Sequence, residues 1–131
     1  MESTTTRENE MLIETQRGIR RHALLTKPIL SSLPPLYAQD GKGMDATCYV
    51  KFFYGGRGAF FATEFDGDDT LYGYCVSPLG PDCDEFGYAS FRELETAKGR
   101  FGIPAVERDC YWGKPRTVAQ ALTDDHITVA A

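Results

Sequence analysis

No run of eighteen apolar residues occurs anywhere in the chain, so nothing in it reads as a membrane-spanning helix. Histidine is scarce. The only two, His22 and His126, lie in the flanks, which leaves Cys–His and Ser–His mechanisms without support from the middle of the chain. No CxxC pair exists either. Cys48, Cys75, Cys83 and Cys110 are spaced by 27, 8 and 27 residues, a poor match to a zinc knuckle or ribbon. Bases are outnumbered, 14 Lys and Arg against 19 Asp and Glu, and a net charge of −5 counts against a broad nucleic-acid-binding surface. The opening MESTTTRENEMLIETQRG mixes acids with bases and does not fit a secretory signal. Without one, the four cysteines are expected to be reduced thiols in a cytoplasmic protein.

What the chain does have is apolar material. At 131 residues, 42% hydrophobic and 12% aromatic, it suffices for one domain with its own core and no disulfide staples. The expected organisation is an N-terminal appendage over 1–23, flexible or ordered by a partner, a domain over 24–122 and a tail over 123–131. Met11, Leu12 and Ile19 would line a short helix in the appendage ending near Arg20-Arg21, marginal without a docking partner. Thr26 is placed to N-cap a helix through Leu33, with Pro28 tolerated in its first turn and Pro34-Pro35 stopping it. Leu36-Tyr37 then leads into a loop over Ala38–Asp45.

From Ala46 the period changes to two. Thr47–Tyr54, Ala59–Phe65, Thr70–Val76 and Phe86–Ala89 read as strands, separated by Gly55-Gly56-Arg57-Gly58, Asp66-Gly67-Asp68-Asp69 and the breakers Pro78, Gly80 and Pro81. Ala105–Trp112 offers a fifth strand. Ser90 and Glu93 have capping-box spacing at the head of a helix ended by Gly99, and Thr117 with Gln120 repeats it before a helix fading by Leu122. The class is α+β: a curled antiparallel sheet of four to five strands with short helices packed on one side.

Several strings then resemble a known family. Leu25-Thr26-Lys27, Pro35-Leu36-Tyr37-Ala38-Gln39-Asp40-Gly41-Lys42-Gly43, Val50-Lys51-Phe52-Phe53, Ala62-Thr63-Glu64-Phe65-Asp66-Gly67 and Tyr72-Gly73-Tyr74-Cys75 are similar, in order, to the DUF2958 family. Glu85-Phe86-Gly87-Tyr88, Glu93-Leu94-Glu95 and Val106-Glu107-Arg108-Asp109-Cys110-Tyr111 continue the pattern, so the resemblance runs from about Leu24 to Leu122. It implies a setting: bacterial plasmids, integrative elements and phages, near anti-restriction and DNA-handling genes. It brings no catalytic residues.

Candidate chemistry therefore comes from the residues themselves. Glu64, Asp66, Asp68 and Asp69 crowd a strand end and turn, but the calcium-loop template fails, with Leu71 at its sixth position and Ser77 at its twelfth. The chemistry of a solvated Asp/Gly turn alone explains them, and no metal or cofactor is expected. Glu64 itself is placed on the face of Phe60 and Ala62, partly buried and paired. Glu107 and Asp109 would share a strand face as acid and base, or form cross-strand ion pairs with Lys51 or another base. Tyr37, Tyr49, Tyr54, Tyr72, Tyr74, Tyr88, Tyr111 and Trp112 would stack nucleic-acid bases, fill the core or serve a protein interface.

Electrostatics favours the interface. Residues 60–95 hold nine acids against Arg92 alone, a local charge of −8. The leading expectation is a non-enzymatic accessory protein of mobile DNA. It would inhibit a host defence nuclease system, CRISPR–Cas or restriction, by docking an acidic, tyrosine-bearing face on the basic surface of a nuclease or its nucleic-acid-binding subunit. That face would comprise Asp66, Asp68, Asp69, Asp82, Asp84, Glu85, Tyr72 and Tyr74. The alternatives are a nucleotide-directed enzyme or ligand-binding module using Glu64, Glu107 and Asp109, and a nucleic-acid binder using Arg57, Arg100, Arg108, Lys114 and Arg116.

Overall fold

The computed structural model describes residues 12–129, and its centre is a strand with no exposed position. β1 (Thr47–Cys48) is short; β2 (Val50–Phe53), β3 (Ala59–Phe65), β4 (Thr70–Val76) and β5 (Glu85–Ser90) then run as an antiparallel meander. β6 (Glu107–Arg108) returns to the far side of β2, giving the order β5-β4-β3-β2-β6. β7 (Arg116–Thr117) pairs with β1 in a separate two-stranded sheet. All seven residues of β3 are buried, because it lies mid-sheet with both faces covered.

Phe60 and Phe61 show why two covers are needed. As neighbours in a strand they point to opposite faces, yet they are only 4% and 0% exposed. Each such burial contributes about 1.5–3 kcal/mol. Around Phe60 gather Val50, Phe52, Ala62, Leu24, Leu25, Leu33, Phe91 and Val106. Around Phe61 gather Cys48, Ala59, Tyr74, Val76, Trp112, Val118, Ala121 and Leu122. Helices α2 (Lys27–Ser32) and α3 (Phe91–Thr96) therefore belong to the first face and α4 (Val118–Asp124) to the second. The α+β class is as expected, but the helices divide between the two faces instead of gathering on one.

Local signals set the helix starts. Thr26, Ser90 and Thr117 accept hydrogen bonds from the amides of Ile29, Glu93 and Gln120, the three caps expected. The fifth strand is shorter than Ala105–Trp112, keeping only Glu107 and Arg108, since the Asp109 carboxylate accepts the Tyr111 amide and turns the chain.

Residues 12–23 are not an appendage. After α1 (Arg17–Arg20), Arg20 is buried, donating from Nε to the Val106 carbonyl at 2.8 Å and from its guanidinium to the Glu95 carboxylate at 3.3 Å. Glu95 also accepts from the Thr15 hydroxyl and the Gln16 amide, and Glu14 accepts from the amides of Leu24 and Leu25. The expected helix lacked a visible partner because Glu95 lies far along the chain. Ile19 is exposed, and Met11 falls outside the described residues. The described part of the expected tail is tied down too: Asp125 pairs with Lys51 at 2.5 Å, and Ile127 packs against the second core. Among the described residues no helix is long and apolar enough to cross a membrane.

Candidate functional site

A single extra residue in β3 creates the site. Ala62 lies opposite Gly73, but Glu64 lies opposite Tyr72, so Thr63 is an unpaired bulge. Strand alternation would have kept Glu64 with Phe60 and Ala62; the bulge turns it to the other face. Two features make the bulge possible. A Cβ on Gly73 would come within 2.1 Å of the Phe61 carbonyl oxygen, so β4 can approach β3 here only through glycine. The second is Gln39, whose side-chain amide donates to the carbonyls of Thr63 at 3.0 Å and Thr47 at 2.8 Å and accepts the Thr47 amide.

Glu64 then organises the loop after Pro35. Its two carboxylate oxygens accept the main-chain amides of Tyr37, at 2.9 Å, and Gln39, at 2.7 Å, and the residue is 3% exposed. Tyr37 is held at φ 73°, a left-handed conformation that costs a bulky residue about 1–3 kcal/mol. That strain places its ring beside Tyr88.

The result is an aromatic row. Glu64, Tyr72 and Tyr88 lie directly opposite one another across β3, β4 and β5. Tyr72 stacks on Phe86 at 5.9 Å between centroids and meets Tyr88 at 4.9 Å. A cleft of about 110 Å³ opens between this row and the 37–46 loop, lined by Tyr37, Gln39, Asp40, Glu64, Tyr72 and Tyr88 among others. Tyr37 and Tyr88 stand at its rim, 67% and 59% exposed. Tyr88's phenol is pushed above its ordinary value, first by the neighbouring Tyr37 phenol, then by burial, then by the charges of Tyr37, Tyr72 and Glu64.

The loop and the bulge coincide with two of the strings quoted above, Pro35–Gly43 and Ala62–Gly67. A family model described as protein of unknown function, DUF2958, matches residues 24–126. The chain belongs to the DUF2958 family. No curated protein and no solved structure matches it.

The acids of this DUF2958 domain fall into two sets. Asp66 accepts the amides of Asp68, Asp69 and Thr70 on one oxygen, and these outweigh burial to hold its carboxyl below the usual range. Asp69 accepts the Ser90 hydroxyl and the Arg92 amide, bracing the start of α3. Asp84, with its side chain 1% exposed, is gripped by Arg57 through two hydrogen bonds and by the Ser77 amide; the guanidinium chiefly lowers its carboxyl, against burial. These three hold the fold. Asp68, Asp82 and Glu85 are exposed, as is Asp66 despite its hydrogen bonds. Of the expected tyrosines Tyr72 lines the cleft, whereas Tyr74 is 4% exposed in the second core and is not a surface residue.

The residues of the other readings are dispersed. The sheet register puts Glu107 opposite Phe53, which faces Ala59 at the far end of β3 from Glu64. Asp109 bonds the Tyr111 amide, and Lys51, a possible partner for it, pairs with Asp125. Among the bases, Arg57 is held by Asp84, Arg108 donates to the Ala23 carbonyl, and Arg116 lies 3.8 Å from the Trp112 ring centroid; Arg100 and Lys114 are exposed. Cys48, Cys75, Cys83 and Cys110 are free thiols, and burial pushes the Cys48 thiol up to about 12. Among the described residues no group of three or more His, Cys, Asp or Glu side chains is placed to hold a metal. Sequence reasoning missed Gln39, Asp40 and Phe86 as site residues. The signal available was Gly73, an isolated glycine inside a strand, which marks a bulge or a close backbone approach.

Proposed function

We propose that this DUF2958 protein is a cytoplasmic accessory protein of mobile DNA that acts by binding a host defence protein, a nuclease or its nucleic-acid-binding subunit. The docking face is the open edge of the sheet at β5 together with the tyrosine cleft. One observation carries the reading: the exposed Asp68, Asp82 and Glu85 occur around the edge strand that also bears the exposed Tyr88. Tyrosine at an interface supplies contact area, and the acids steer a basic partner. A surface evolved to hold polyanionic DNA is such a partner, and the setting implied by family resemblance supplies the class. Asp69 and Asp84, by contrast, serve the fold and leave the docking face, whereas Asp66 braces its turn while staying exposed.

The test is affinity capture from a host lysate with the wild-type chain and with Asp68→Lys/Asp82→Lys/Glu85→Lys, which moves the charge of residues 60–95 from −8 to −2. Wild type is expected to retain a nuclease component, less as salt rises, because attraction is screened beyond about 8 Å at physiological ionic strength. The triple variant is expected to lose it while melting as wild type does. Equal retention by both proteins rejects the acidic face. Nucleotide turnover by the purified chain, abolished by Glu107→Gln/Asp109→Asn, would instead establish the enzyme.

A further inference from the structure

The tyrosine cleft has the wrong size for a metabolite and the wrong sign for a phosphate. Ligand sites typically enclose about 300–1,000 Å³, whereas this cleft holds about 110 Å³. That volume suits the end of one long side chain. Its charged lining residues are both acidic: Glu64, buried in the floor, and Asp40, exposed at the rim. Its walls are the aromatic rings of Tyr37, Tyr72, Phe86 and Tyr88.

Aromatic faces around a carboxylate select a cation, because the ring quadrupole and the negative charge both attract it and neither rewards a neutral group equally. Two details argue that the arrangement is built for occupancy. Tyr37 is kept in a left-handed conformation by Glu64, so the chain bears strain at the point where the fourth ring closes the cleft. Each Glu64 oxygen accepts one main-chain amide and, having two lone pairs, retains capacity for another donor.

We infer that the cleft seats the guanidinium of a single arginine of the partner, stacked among Tyr37, Tyr72 and Tyr88 and directed at Glu64. The inference rests on the docking reading above and gives it chemistry: the acidic edge attracts a basic surface, and the cleft fixes its register on one side chain. Arginine suits the site better than lysine. Its flat head stacks on rings and presents donors in the plane that a carboxylate accepts.

The test needs no partner. The 15N- and ring-labelled full chain is titrated by NMR with Nα-acetyl-arginine N-methylamide, its neutral citrulline analogue, Nα-acetyl-lysine N-methylamide and AMP. The arginine probe is expected to move the Tyr37, Tyr72 and Tyr88 ring signals in a saturable way and to bind at least tenfold more tightly than citrulline. Tyr88→Leu, at an exposed edge position, is expected to weaken it at least tenfold with unchanged melting. Glu64→Gln should erase the preference for arginine over citrulline. Should that variant fail to fold, the arginine-to-citrulline ratio of wild type and of Tyr88→Leu decides. Equal binding of the two probes overturns the inference, as does tighter binding of lysine or AMP at these rings, or no movement at all. A positive titration with no captured nuclease would sink the docking reading alone. Capture that Tyr88→Leu leaves intact, with no titration response, would sink the arginine seat alone.

Discussion

The two edges of the five-stranded sheet are treated in opposite ways. At β6 the edge is closed: Arg20 reaches the Val106 carbonyl, the outward Arg108 amide donates to His22 Nε2, and the Arg108 side chain bonds the Ala23 carbonyl. Residues 12–23 thus act as a strap, fastened by the buried Arg20–Glu95 pair. At β5 no described strand pairs outside, and the strand carries Glu85 and Tyr88 into solvent. An unpaired edge invites association, and charge is a usual protection against unwanted pairing. The contrast says where stability and recognition are separated: buried ions hold one edge shut, and exposed ions leave the other available.

The sharpest way to break this contrast is to cut the strap. Arg20→Met strands the buried carboxylates of Glu95 and Glu14, and Glu95→Gln leaves the buried Arg20 with Glu14 alone, 3.7 Å away; the Arg20 and Glu95 side chains are 0% and 2% exposed. Each variant is expected to lose about 3–5 kcal/mol in urea unfolding, whereas Glu85→Lys at the open edge should change stability by less than about 0.5 kcal/mol. A double substitution of Arg20 and Glu95 should recover only part of the loss, because Glu14, 3.7 Å from Arg20 and 5% exposed, then keeps the amides of Leu24 and Leu25 but no cation. Similar small effects at both edges would mean that the strap does not fasten the fold.

A finer comparison lies within one turn. Asp82 and Asp84 are two residues apart, but only Asp84 meets Arg57 and the Ser77 amide. Asp84→Asn is expected to cost about 1.5–3 kcal/mol, and Asp82→Asn nothing measurable. The Asp84 loss should shrink on acidification. A carboxyl held below its ordinary value of 3.8 contributes stability above that value and loses it as pH falls through the folded one. Equal costs for the two substitutions would place both among the exposed acids.

These contrasts also mark how far the sequence could be read. β3 and β4 have the boundaries expected, because alternation and flanking Gly and Asp residues are local signals and β3 needs no distant information to begin or stop. The three helix caps were legible for the same reason. The layering was not, since consecutive buried residues such as Phe60 and Phe61 do not say which helix covers which face. Glu64 was recognised as buried and paired but assigned to the wrong face, because one unpaired residue reverses a strand's facing. The strap could not be seen: Arg20 and Glu95 are 75 residues apart, with no periodicity linking them. The charge run was visible, but not its division into acids that cap turns and acids that face water.

The smallest expected effect concerns the latch on the closed edge. His22 Nε2 accepts the Arg108 amide at 3.2 Å, so that nitrogen must carry no proton. Burial lowers the His22 value from 6.5, the charges of Arg108 and Arg20 lower it further, and Glu107 opposes them only in part. As pH falls below 6.5, the unfolded chain takes up a proton that the folded chain resists, so stability declines until the folded value is passed. The effect is expected to be the smallest of the set, because a single hydrogen bond at the edge of the sheet is at stake. Asp84 and Glu95 contribute little to this window, since their carboxyls lie below ordinary values of 3.8 and 4.5. Urea unfolding of wild type and His22→Gln between about pH 7.5 and 5.5 isolates the imidazole, because glutamine keeps an acceptor but does not titrate. Wild type is expected to weaken across that range and the variant to stay level. Parallel curves would show that β6 is held by Arg20 and Arg108 alone.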